Sequence, residues 1–80
     1  MNLEILTPEK SLFKGKVKSI KVPGKKGSFM VLNNHAPIVS TLAVGDIVIT
    51  TADYEEQRIP VAGGVVEVKQ NNIIVLADEA

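Results

Sequence analysis

The chain has 80 residues, nine basic against nine acidic side chains and no cysteine; at this length only about 60–65 % of the unfolded surface is buried, so one domain with a thin core is expected. The zero net charge removes the electrostatic footprint of a general nucleic-acid binder. Absent cysteine excludes disulfides, thiolate metal sites and cysteine nucleophiles, and fits a reducing compartment. Met1-Asn2-Leu3-Glu4 opens no signal segment, and no apolar run approaches the roughly 20 residues of a membrane-spanning helix. The protein is therefore expected to be soluble as translated, reaching a membrane only through another protein.

Short Val/Ile-rich segments recur between turn-forming clusters, which predicts strands nearly throughout. Asn2–Leu6 alternates and stops at Thr7-Pro8-Glu9-Lys10, where proline presets a turn. In the next strand, 11–22, Phe13 and Val17 share one parity while Ile20 and Val22 share the other, so a bulge is expected near Lys18-Ser19. Residues 23–27 read as a loop, 28–32 as a short strand, 37–42 as another, and Val44-Gly45-Asp46 as the turn into 47–51. After the polar stretch Asp53-Tyr54-Glu55-Glu56, residues 57–70 carry Pro60, which demotes the first half of that strand to an edge, and Gly63-Gly64, which suits a bend or a close backbone approach. Asn71-Asn72 reads as a two-residue hairpin turn before 73–78, because asparagine tolerates positive φ.

Eight or more such strands, with no helical periodicity beyond a turn or two, predict an all-β sandwich or barrel. The runs Ile47-Val48-Ile49 and Ile73-Ile74-Val75-Leu76 are apolar on both parities. They fit either burial of both faces or burial of one with the other offered to a partner.

The search for chemistry returns weak signals. His35, the only histidine, could pair with Ser28, Ser40 or Asp46, but no nucleophile elbow surrounds those serines. One histidine with scattered carboxylates does not make a zinc site. Gly24-Lys25-Lys26-Gly27-Ser28 has neither the spacing nor the helix start of a phosphate loop and reads as a solvated turn. Lys14, Lys16 and Lys18 share a period-two face that a soluble exterior explains, since few aromatics are available for base stacking. The adjacent carboxylates Glu55 and Glu56, beside Asp53, do not converge on one bond and are expected to be solvated. No catalytic, cofactor-binding or metal-binding residue is therefore assigned.

Several motifs nevertheless form an ordered series: Gly15 after an apolar-aromatic pair, Gly27-x-Phe29-x-Val31-Leu32, Asn34-His35-Ala36-Pro37, Leu42-x-x-Gly45-x-Ile47, Gly63-Gly64-x-x-Glu67-Val68, and Val75-Leu76-Ala77-Asp78-x-Ala80. In this order and spacing they resemble the amino-terminal domain of the epsilon subunit of the rotary F-type ATP synthase, called delta in mitochondria, over the whole span 1–80. The resemblance implies a flattened sandwich of about ten short strands in two sheets. It implies a non-catalytic central-stalk subunit that binds gamma, rests on the c ring and couples proton flow to ATP synthesis. Its place would be the cytoplasmic face of a bacterial inner membrane, held there indirectly.

The matching loop lies at the foot of the stalk in that family, which makes Ser28, Phe29, Asn33, Asn34, His35, Ala36 and Pro37 the expected contact with the c ring or gamma. Amide and imidazole groups there can hydrogen-bond polar loops, while apolar strand faces supply the larger contact. Two departures matter. The family commonly has proline at the position of Asn33, so the turn is expected to be less rigid here. Many members continue beyond the alanine matching Ala80 into an inhibitory two-helix hairpin, so that arm and its nucleotide site are not expected in this chain. A generic β-sandwich module for a peptide or sugar fits the strands equally well but leaves the ordered motifs unexplained.

Overall fold

A computed structural model describes all 80 residues as seven strands and no helix. In chain order these are β1 (Asn2–Leu6), β2 (Ser11–Val22), β3 (Phe29–Leu32), β4 (Ile38–Leu42), β5 (Gly45–Thr51), β6 (Glu56–Lys69) and β7 (Asn72–Glu79). β2 and β6 run through both layers of a sandwich. Residues 11–16 of β2 pair with β1, and 17–22 pair with β5 and β3. Likewise β6 pairs with β5 through 56–61 and with β7 and β4 through its second half. One layer is thus β6-β5-β2-β3 and the other β2-β1-β7-β6-β4, all antiparallel except β1 with β7. The all-β sandwich is as expected. The strands number seven rather than about ten, in large part because these two long ones each serve both layers without a break.

Register explains how one strand can do this. The ladder between β2 and β5 slips between Val17 and Ser19, the expected bulge, so Val17 and Ile20 are both buried despite opposite parity. Lys18, the extra residue, is exposed with its Nζ 4.5 Å from the centre of the Tyr54 ring, while Lys14 and Lys16 stand opposite Glu4 and Asn2. In β6 the first half has only β5 beside it, the edge position that Pro60 requires. A second slip, between Val61 and Gly63 against β7, precedes Gly64, whose φ is +138°.

The hairpin into β7 turns one residue earlier than the sequence suggested. Gln70 and Asn71 occupy the tip with φ of +52° and +61°, and Lys69 pairs with Asn72. A turn at Asn71-Asn72 would have set Gln70 opposite Ile73, a buried residue; the observed register sets Val68 there instead. The turn before β5 is likewise displaced, falling at Ala43-Val44, with Gly45 and Asp46 already paired to Val61 and Pro60. Ahead of β2, the Thr7 N–H donates to the Lys10 carbonyl (2.8 Å) and the Lys10 N–H to Thr7 Oγ1 (3.2 Å), closing the expected turn.

Fifteen aliphatic residues form the core, among them Ile5, Ile20, Ile49, Val66 and Val75, with Phe13 and Phe29 packed at its margin. The doubly apolar runs bury one face only. In β7, Ile73 and Val75 are buried while Ile74 and Leu76 remain exposed.

Candidate partner interface

Asn33–Pro37 connects β3 to β4, and the two strands lie in different layers: β3 pairs with β2, β4 with β6. No ladder joins the strands that flank this loop, so its shape depends on its own bonds and on its neighbours. The His35 N–H donates to the Leu32 carbonyl at 3.1 Å. With Asn34 at φ +64° and Asn33 outside the positive region, this is the type II pattern, whose first central position accepts proline and whose second favours glycine or asparagine. Asn33 thus occupies the position at which proline fits.

Beyond its own turn, the loop is held by the β6–β7 hairpin. The Asn34 N–H donates to Asn71 Oδ1 at 2.7 Å, and Asn71 Nδ2 donates back to Asn34 Oδ1 at 3.2 Å. The hairpin is tied in turn to β1, because the Asn2 N–H donates to the Asn71 carbonyl (2.9 Å) and Asn2 Nδ2 to Asn72 Oδ1 (3.2 Å). One end of the sandwich is therefore a cluster of amides from three separate parts of the chain.

His35 is half-buried in this cluster, with Asn33, Ala36 and Pro37 exposed beside it. Its Nδ1 donates to the Ala36 carbonyl at 2.6 Å, since a carbonyl oxygen can only accept. Neither suggested serine engages the ring: Ser40 Oγ donates to the Thr41 carbonyl. Asp46 lies on the outer face of the other layer beside Lys21 and Arg58.

The structure divides the expected contact residues. Asn33–Pro37 form one surface, whereas Ser28 and Phe29 lie at the far end of β3, about 13 Å away along a four-residue strand. There they line an open groove of about 720 Å³ between the 25–28 turn and β4. Phe29 contributes its half-buried ring to the core margin, and Ser28 is the exposed member of the pair.

A second surface lies on the outside of the layer containing β7. Cross-strand pairing sets Leu6 beside Leu76 and Leu76 beside Val65, with Ile74 and Val39 on either side of Glu67 in the next row. Val39, Val65, Ile74 and Leu76 are exposed, Val39 by 67 % and Leu76 by 59 %. For Ile74 and Leu76 the signal in the sequence was the doubly apolar run, whereas Val39 and Val65 carried none; nor did Asn71, which contacts the loop from 37 residues away.

The fold is a small two-layer β domain with an amide-rich end and several exposed apolar side chains on one outer face. The chain belongs to the family described as ATP synthase, Delta/Epsilon chain, beta-sandwich domain, whose sequence model matches residues 1–80. Curated relatives include the ATP synthase epsilon chains of Leptospira borgpetersenii, 44 % identical over 98 % of this chain and 61 % of that protein, and of Dichelobacter nodosus, 41 % identical over 95 % and 53 %. This chain thus spans between about half and two thirds of those relatives. The epsilon chain of Chlorobaculum tepidum, 39 % identical over 96 % of this chain, is covered over 88 % of its own length. The fold recurs in a chain of the Euglena gracilis mitochondrial ATP synthase, with a TM-score of 0.89 at 20 % identity over 96 % of this chain and 49 % of that one. It recurs also in the central stalk and c-ring structure of the Tetrahymena thermophila enzyme, with a TM-score of 0.82 at 17 % identity over 98 % and 63 %.

Proposed function

We propose that this chain acts as the β-sandwich of a central-stalk rotor subunit in a proton-translocating F-type ATP synthase, binding gamma, resting on the c ring and coupling proton flow to rotary ATP synthesis. The observation that carries the reading is the family match across all 80 residues, and relatives above 40 % identity bear the name ATP synthase epsilon chain. In this role the domain is non-catalytic. It is a peripheral component on the cytoplasmic face of a bacterial inner membrane, attached only through the complex.

The physical requirements of the role agree with the fold. Torque passes best through a part that does not bend, and β2 and β6 each stitch the two layers together. The apolar outer face around Leu76 and Val65 supplies area for gamma, while the Asn33–Pro37 surface supplies directional hydrogen bonds to polar c-ring loops. Ser28 and Phe29, at the other end of β3, line a separate open groove that offers a second contact.

His35→Ala tests the division of roles. The ring is only half-buried and its one side-chain bond is to the neighbouring carbonyl, so unfolding stability should change by less than about 1 kcal/mol. Attachment to the c ring should weaken about tenfold. A large loss of thermal stability with unchanged assembly would instead make His35 a structural residue.

A further inference from the structure

We infer that Asn71, on the β6–β7 hairpin, is the positioning residue of the docking loop, fixing the backbone of Asn34-His35-Ala36-Pro37 before any partner arrives. The inference rests on the reading of that loop as a contact surface.

Three observations carry it. First, the loop lacks support from a hairpin ladder, because β3 and β4 belong to different layers and pair only with β2 and β6. Second, the Asn71 carboxamide uses both of its polar atoms on one loop residue, accepting the Asn34 N–H at 2.7 Å and donating to Asn34 Oδ1 at 3.2 Å. Third, Asn71 is itself held in place, since its carbonyl accepts the Asn2 N–H at 2.9 Å and its φ of +61° fixes it at the hairpin tip. The clasp therefore refers the loop to β1, β6 and β7 at once. A loop ordered in its bound shape loses less freedom on docking.

The left-handed backbone makes the role separable from folding. Glycine is favoured at the second central position of a two-residue hairpin with positive φ, so Asn71→Gly should keep the melting temperature while deleting the carboxamide. Asn71→Asp keeps the acceptor for the Asn34 N–H and loses only the return donor.

The test uses two readouts on the same proteins: amide hydrogen exchange at Asn34 in the free chain, and affinity for a purified gamma and c-ring assembly. In Asn71→Gly, Asn34 exchange should accelerate about fivefold or more and affinity should fall by a similar factor, with an unchanged melting temperature. In Asn71→Asp both should return most of the way to the parent values. Unaltered Asn34 exchange in Asn71→Gly would overturn the clasp. Faster exchange with undiminished affinity would overturn its role in docking. Failure of the parent chain to bind the assembly would overturn the docking reading itself, and is recognised because it precedes any variant.

Discussion

Gly64 is the residue with least freedom to change. A Cβ built there would stand 2.2 Å from the Leu76 carbonyl oxygen, in the backbone of the adjacent strand, and its φ of +138° is unfavourable for any L side chain. Neither the strand nor the oxygen can retreat, because β6 and β7 are paired along their length. Gly64→Ala should therefore destabilise the fold by about 3 kcal/mol or more, measured as a lower urea midpoint at constant m-value. A change below 1 kcal/mol would mean that the two strands part more readily than this packing implies. The sequence made this residue legible, since a glycine pair inside an apolar strand already signals close approach. It did not do the same for Asn71, whose function depends on a partner distant in the chain, and whose neighbour Asn72 was an equally good turn residue until the pairing of Val68 with Ile73 decided between them.

Among the elements, β7 is the clearest case of one strand serving two purposes. Ile73, Val75 and Ala77 are buried, while Ile74 and Leu76 face outward and are 42 % and 59 % exposed. Side chains left facing water contribute little to the isolated fold, and under the proposed function their apolar character serves the contact with gamma. Leu76→Glu should leave unfolding stability within about 1 kcal/mol, yet reduce capture by gamma at least tenfold, because a carboxylate placed in a desolvated contact has no partner. Equal loss of stability and binding would assign Leu76 to the fold. Val/Ile-rich segments between turn-forming clusters let the sequence predict β1, β3, β4, β5 and β7 nearly to their ends, and the parity reversal in β2 revealed its bulge. That β2 and β6 each span two layers was not legible, because continuity through a bend leaves no mark in local pattern and depends on which strands come to lie alongside.

At the scale of the molecule, pairing closes on itself through β1, which lies between β2 and β7 and joins residues 2–6 to residues 72–76. The two ends of the chain thus stiffen one another, and the amide-rich end and the apolar sheet face keep a fixed relation. A rigid body with two surfaces in fixed relation is what the proposed rotor role requires, and residues 1–80 match the family's beta-sandwich domain throughout. The Asn34-His35-Ala36-Pro37 loop was legible in the sequence as an ordered motif, whereas its tie to Asn71 was not; Ser28 and Phe29 stand at the opposite end of β3 from His35. The most direct measurement is to co-express this chain with a cognate gamma subunit, purify through a tag on gamma, and determine the stoichiometry. The central-stalk account predicts one copy per gamma, retained through gel filtration and lost in Leu76→Glu; absence of the chain from purified cognate gamma would contradict it.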